Sequence, residues 1–422
     1  DGGSPQAVTE STLYNINPLG WSSTVTAPDG SVTTETGGGL PTAVGNAYSV
    51  KTARADGSVA ERIWAINNAP HLNGNGTVNG FVKTEFSSIP DANGTPTLTA
   101  IKDYDHDKNG NVLEVREYEW VAYSSVSRDS FSRPTAVPSG AVLKRKTVNT
   151  YYNPTPISTD TTTDSPNHYA NPLSPKLHNV LFSTEVRDGS NVVKARTELY
   201  YDNPSNTGNL TETRTWDSSK GGVSTPLSTG NSISTFAAYN SYGAVTQTSD
   251  ANGVPTVLTY GNISGPSGYV TNLYPTQVVA ASGTSVARTS TAAYDFYTGL
   301  VTTATDIDNN ISTVTEYDAL GRPIKIRSAA NTPLESWTTS EYHDSDKFVV
   351  VKSDLATVGD GKKVATQFYD QLGRVRLSKT LEDAATQSAL NETDGIKVQT
   401  RYQIGNPNSY QLTSNPYRAS TS

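Results

Sequence analysis

The 422-residue chain carries 32 Lys and Arg against 40 Asp and Glu, a formal charge of −8, which excludes a nucleic-acid clamp and a polybasic membrane anchor. Only 34% of the residues are hydrophobic and 17% charged, with Thr, Ser, Asn and Gly crowding the rest, so thick apolar cores are excluded too. The absence of cysteine removes disulfides, thiolate metal sites and thiol nucleophiles in one step.

The 33 glycines and 23 prolines stay below the roughly 25–30% share typical of low-complexity disorder, so the chain folds. Tyrosine outnumbers phenylalanine 23 to 8, as expected of half-wet β surfaces where a ring packs and its hydroxyl meets water or backbone. No apolar stretch reaches the ~18 residues of a membrane helix, and the greasiest run, Phe348–Val351, suits a strand. The chain holds no Met and opens at Asp1, from which we expect a processed product or a piece of a longer polypeptide. Extracellular or cell-surface location is the expectation for a polar, Tyr-rich, cysteine-free β chain.

Along the chain, one turn grammar recurs. A Tyr beside Asp or Asn opens YNINPLGW at Tyr14, YDHDKNGN at Tyr104, YDNPSNTGNL at Tyr201, YNSYGAV at Tyr239 and YHDSDKF at Tyr342. The strongest copies are YDFYTGLV at Tyr294-Asp295, YDALGRPI at Tyr317-Asp318 and YDQLGRVR at Tyr369-Asp370. Tyr294, Tyr317, Tyr342 and Tyr369 follow at intervals of 23, 25 and 27 residues, room for two short strands and two turns. Between them lie Asp-Gly or Asn-Gly steps feeding Thr/Val-rich strands: PDGSVTTET, ADGSVAERIW, DANGTPTLTAIKDYD, RDGSNVVKARTELYYD, DANGVPTVLTY, DIDNNISTVTEYD and GDGKKVATQFYD. Such dipeptides supply the positive φ of tight hairpins.

After the turns the strands alternate. Ile324 and Ile326 flank Lys325, and Val375 and Leu377 flank Arg376, which predicts one buried and one wet face. No helix is predicted beyond a turn or two in Leu381–Asn391. Asn153–Lys176, with five prolines, reads as one long surface loop, and Gly221–Asn231 as a shorter polar stretch. We therefore expect an all-β protein, residues 1–422 forming one repeat array: degenerate repeats over about 14–150, the loop at 153–176, and more regular repeats over 177–422.

Tyr-Asp, two variable residues, then Gly-Arg and an apolar residue resembles the repeat of the Rhs/YD-repeat family, which includes bacterial shell proteins and the related teneurins. The likeness covers about Tyr14 to Tyr402. It implies an antiparallel sheet spiralling into a solenoid or partial hollow shell, and hence a secreted or surface scaffold. An Asp-Pro-x-Gly closing segment of the kind preceding toxins in bacterial members is not found before Ser422. The resemblance thus leaves three readings: a structural shell fragment or fibre-forming array, an adhesion or glycan-binding module, and a toxin-enclosing shell whose toxin domain is not in this chain.

The repeat residues themselves read as structural. Each ring fills the space between turns, Asp295, Asp318 and Asp370 hold turn N–H groups, and Gly321 and Gly373 relieve a Cβ. Arg322 and Arg374 are expected to lie along the sheet and reach carboxylates of the next unit. Catalytic grammar is missing: His71, His106, His168, His178 and His343 form no HExxH pair, and neither a Walker loop nor a GxSxG elbow occurs. We expect no enzyme and no cofactor, with His106 and His343 as exposed turn residues.

Calcium is a secondary reading of Asp105, Asp107 and Asn109, whose alternate spacing before Gly110 starts an EF-like loop, although Arg116 stands where a bidentate Glu is wanted. Asn-x-Ser/Thr sites fall at Asn75, Asn93, Asn209, Asn262, Asn310 and Asn391. Trp21, Trp64, Trp120, Trp216 and Trp337 are the candidate sugar platforms. Open strand edges predict pairing with flanking repeats or with another copy, without nucleic acid and without membrane insertion.

Overall fold

The computed structural model describes residues 13–17, 20–27, 29–37, 47–67, 79–107, 110–130, 132–152, 177, 179–204, 207–265, 268–270, 273–403 and 410–418. Asn153–Lys176, Asn75, Asn109, His71, His168 and His178 lie outside them, as do the side chains of Tyr14 and Trp21. The described residues are all-β: 29 strands, two three-residue 3-10 helices, and no helix long and apolar enough to cross a membrane. The repetitive antiparallel sheet expected from the sequence is what they form. The chain falls into two units, Asp1–Phe236 and Ala237–Ser422.

In the first unit the strands from Leu13–Asn17 to Leu210–Trp216 pair in chain order, each antiparallel to the one before. Only the two-residue strand Val121–Ala122 stands aside, pairing with Leu98 and Thr99. The second unit repeats this meander from Val245–Ser249 to Tyr410–Thr413, with the small hairpin Ile263–Gly265/Gly268–Val270 set apart.

One hairpin loop recurs along the chain. The N–H of its first residue donates to the carbonyl of the fifth, and the N–H of the fourth, at positive φ, donates back to the first. Asp91/Thr95, Asp188/Val192, Asp250/Val254, Asp318/Arg322 and Asp370/Arg374 all close this way. It is a type I turn ending in a left-handed residue, a loop whose twist suits the flanking strands. The first-position Asp suits it because one carboxylate oxygen collects the N–H groups of the third and fifth residues, as Asp250 does from Asn252 and Val254. The Tyr-Asp turns at Asp318 and Asp370 and the steps at Asp91, Asp188 and Asp250 are therefore the same turn, used at both ends of the sheet's strands.

A single sheet cannot bury itself, and the sequence solves this with long connections folded back onto the strands, two in the first unit and one in the second. Residues 123–142 bring Val126 and Val137 onto Ile63, Phe86 and Ile101. Residues 217–231 seat Leu227, 1% exposed, over the strand Val193–Tyr201, its N–H donating to Glu198 Oε2 at 2.9 Å. In the second unit, residues 381–395 lay Leu381, Ala384 and Ala389 on Phe348, Val350 and Val364. Two expectations are refined here. Gly221–Asn231 is polar and mostly exposed as expected, yet it is an ordered cover, because its one leucine is its anchor. Leu381–Asn391 is a run of turns without helix, Asp383 and Gln387 taking up its backbone donors.

The expected alternation is also only partly realised. Pro323–Arg327 is half-buried at every position, because nothing of the second unit's covering loop reaches it. In Val375–Thr380 Leu377 is buried as expected, but its same-face neighbour is Lys379. The covering loop explains this lysine: its ammonium donates to the carbonyls of Ser388 (2.7 Å) and Asn391, while burial lowers its pKa.

Candidate functional site: the tyrosine-linked turns

Tyr317 ends the strand Ile311–Tyr317, and Asp318 begins the turn. Asp318 Oδ1 accepts the N–H groups of Leu320 and Arg322, each at 2.9 Å, while Oδ2 accepts Arg322 Nε at 2.8 Å. The Arg322 backbone donor, followed by its guanidinium, holds the Asp318 carboxyl below the usual range. Asp370 repeats this with Leu372 and Arg374, and its pKa is lowered in turn, chiefly by the Arg374 side chain. Gly321 and Gly373 occupy the fourth position at φ +78° and +75°. Asp295 begins a loop one residue longer, with Gly299 at the fifth position and Leu300 closing it, and holds Tyr297 and Thr298 instead.

The tyrosines do not close their own turns. Each hydroxyl donates one unit back, to the carbonyl two residues after an earlier turn's left-handed residue: Tyr151 to Val112, Tyr260 to Val245, Tyr317 to Val301, Tyr342 to Pro323 and Tyr402 to Val375, at 2.8–3.2 Å. Tyr294 donates to Pro275 O in the same manner at 2.8 Å. Tyr369 departs, donating to Gln367 Oε1 in its own strand. The arginines reach forward: Arg322 lies 4.1 Å over the Tyr342 ring and bonds Asp344, and Arg374 lies 4.3 Å over the Tyr402 ring. Opposite Tyr151, Tyr294, Tyr317 and Tyr369 the partner strand carries a bulge, so that Tyr317 faces Pro323 while Glu316 faces Lys325. All three YD tyrosines are half-buried rather than engulfed, which lowers the expected cost of truncating them.

Two copies escaped the sequence reading. Asp129 and Arg133, after Arg128, close the same turn, Asp129 accepting the Arg133 N–H at 2.9 Å and Nε at 2.7 Å. It was hidden because Arg replaces Tyr and Ser132, at φ +61°, replaces Gly. Tyr151 was missed because the 123–142 loop separates it from its partner turn; an apolar residue two positions after each turn glycine was the available signal.

The Tyr104 copy is shifted. Asp107, not Asp105, begins its turn and binds the Asn111 N–H and amide, each at 2.8 Å. Asp105 accepts Arg116 (2.7 Å) and Lys83 (2.8 Å), and Arg116 above all holds its pKa near about 2. Asp105 and Asp107 thus spend their oxygens on different partners, and Arg116, which stands where a bidentate Glu is wanted, is a counter-ion to Asp105. Among the described residues no three acidic or histidine side chains are gathered for a metal.

Buried charge is concentrated in the first unit. Glu61, 2% exposed, takes a two-pronged bond from Arg128 at 2.7 and 2.6 Å, fastening the 123–142 loop. Arg196 bridges Glu185 and Glu198, and Glu198 also accepts the Tyr200 hydroxyl at 2.7 Å. Burial, then that bond, pushes the Tyr200 pKa up to about 12. His106 and His343 are not free turn residues: each ends a strand and stacks on a ring, Phe81 at 5.0 Å and Phe348 at 4.2 Å. Burial lowers the His106 pKa.

The tryptophans are dispersed. Trp216 donates to Gly221 O, Trp337 donates to Glu335 beneath Lys325, and Trp120 stands exposed beside an open groove of about 500 Å3. Among the sequons, the Asn209 and Asn391 amides are tied to Asp202 and Asp394.

No family model matches the chain, and no curated protein matches it. Among solved structures it is similar to a chain described as TcdB2-TccC3-Cdc42, at 12% identity and a TM-score of 0.33, covering 94% of this chain and 27% of that one. A TcdB2-TccC3 chain gives 12% identity, 0.29, and 93% and 23% coverage. A porin-like protein from Bacteroides uniformis gives 11% identity, 0.18, and 74% and 95%. The chain thus spans about a quarter of the length of the first two.

Proposed function

We propose that this chain is a non-enzymatic scaffold of the YD-repeat kind, part of a shell or an extended array that works outside the cell or at its surface. One observation carries the reading: the recurrent Tyr, Asp, Gly and Arg groups spend their polar atoms on each other and on the backbone of the adjoining unit. Asp318 and Asp370 use both carboxylate oxygens within their turns, and the hydroxyls of Tyr294, Tyr317, Tyr342 and Tyr402 are committed one unit back. Groups so committed hold a sheet in register and leave little for chemistry. Flanking repeats, or another copy, would pair beside Tyr410–Thr413, a strand whose residues are all exposed.

The test is accessibility in the source organism. Intact cells treated with a membrane-impermeant amine label should yield labelled chain, since its surface lysines include Lys102, Lys144 and Lys194. Labelling that appears only after lysis would remove the surface assignment. A turnover rate that fell with Asp318→Asn or Asp370→Asn while the fold persisted would remove the non-enzymatic one.

A further inference from the structure

The sheet face opposite the 123–142 loop carries two parallel rows that the sequence order conceals. Cross-strand register aligns Arg62 with Glu85, Glu85 with Lys102, Lys102 with Glu117, Glu117 with Arg145, and Arg145 with Asp188. Six successive strands thus present charges of strictly alternating sign in one line. Neighbours pair laterally, Arg62 with Glu85 at 2.7 Å, Lys102 with Glu117 at 3.3 Å and Arg145 with Glu117, and the basic side chains remain more than half exposed.

Three or four residues along the same strands runs an apolar row. Ile89 and Leu98 are cross-strand partners, Leu98 adjoins Ala122, and Trp120 stands next to it; Ile89, Leu98 and Trp120 are 44, 42 and 48% exposed. Ile89 and Leu98 share the open face of Glu85 and Lys102 by strand alternation, and Trp120 lines the groove with Lys102, Glu117 and Arg145. Exposed apolar side chains massed in this way mark a contact surface.

We propose that this face is a self-complementary interface that binds a second copy of the same chain. A two-fold axis lying between the copies, parallel to the strands and midway between the Lys102 and Glu117 strands, reverses the order of the charged row. Plus, minus, plus, minus, plus, minus then meets its own reverse, so every charge faces an opposite one: Lys102 faces the partner's Glu117, and Glu85 faces the partner's Arg145. The same axis leaves displacement along the strands unchanged, so the apolar row meets the apolar row and Leu98 faces the partner's Trp120.

An axis parallel to the charged row would instead oppose like charges. An isologous contact therefore has one orientation that satisfies both rows. Five inter-strand steps of ~4.8 Å by four residues of ~3.3 Å frame about 24 by 13 Å. With a side chain's width added at each edge, this approaches the ~800 Å2 per partner of a standard interface. Sheet twist draws the outermost rungs apart and centres the contact on Lys102, Glu117, Leu98 and Trp120.

Sedimentation of the full chain across a concentration series tests this with Lys102→Glu and Glu117→Lys. Each variant alone places two like-charged pairs across the axis, and self-association should weaken by at least about tenfold. An equimolar mixture of the two variants should regain it. In the mixture, Glu at 102 of one chain faces Lys at 117 of the other, and the two unchanged residues face each other.

The lateral pair within each chain stays broken in the mixture, so rescue reports contact between chains and not repair of a fold. Far-ultraviolet circular dichroism confirms that each variant is folded, and Leu98→Asp should weaken association without charge rescue. A wild-type chain that stays monomeric, single variants that associate as wild type does, as contact through strand edges would allow, or a mixture no tighter than its components would each overturn the proposal.

Discussion

Ser132 carries a cost that its glycine counterparts avoid. It adopts φ +61° at the turn position held by Gly373 at +75°, where a Cβ crowds the following carbonyl by roughly 1–2 kcal/mol. Replacing Ser132 with Gly removes that strain and adds some unfolded-state freedom, so a net gain of about 0.5–1 kcal/mol is expected in chemical denaturation. Gly373→Ala should lose about 1–2 kcal/mol, and because a Cβ there meets nothing within 4 Å, the loss measures backbone conformation alone. Equal effects of either sign at both positions would contradict a shared turn.

Single-residue acid sensitivity follows from the turn carboxylates. Asp105, Asp318 and Asp370 are all held below their ordinary value. A carboxylate depressed in the folded state stabilises it fully where the unfolded form is ionised too, above about pH 4, and loses that contribution as pH falls through the folded value. The thermal midpoint should therefore be level from neutrality to about pH 5 and fall between about pH 4 and 2. Asp105→Asn should lower the midpoint at neutral pH and flatten the fall in that window; a midpoint that rises on acidification would refute the assignment.

At the scale of elements, the covering loops decide where stability resides. Arg128→Ala leaves the Glu61 carboxylate buried without its counter-ion, and a loss of about 3–5 kcal/mol is expected, with early proteolysis of residues 123–142. Replacing both by leucine should cost much less, since neither charge is then stranded. Hydrogen exchange should find the slowest amides beneath the loops, around Phe86 and Ile101 in one unit and Val350 and Val364 in the other. Slowest exchange in uncovered strands such as Pro323–Ser328 would show that the loops are not the anchors.

For the whole molecule, what could be read in advance was what is local. Asp-x-x-Gly strings state their own turn because donor, acceptor and positive φ all fall within five residues, and Thr/Val alternation between them states a strand. What could not be read depends on distant pairing. The alternating row from Arg62 to Asp188 exists only once six strands have found register, and Lys379 looks like a surface residue until residues 381–395 fold over it. Ser132 hid a turn because a serine in the left-handed region is uncommon, so spacing rather than residue type had to be followed. Asp105 and Asp107 show that even spacing in sequence does not fix a shared partner, since one takes Arg116 and Lys83 and the other Asn111.

The backward reach of the tyrosines has a bearing on how such a chain changes over generations. Most of these hydroxyls find a carbonyl 15–27 residues upstream, yet Tyr151 reaches Val112 across 39 residues with the 123–142 segment spliced between. The clasp is indifferent to what is threaded through it, so long as the two strands it joins come back side by side. Lineages can thus lengthen the excursion, shorten it, or furnish it with new side chains while the framework keeps time, and a protein engineer could graft a foreign peptide at the same place.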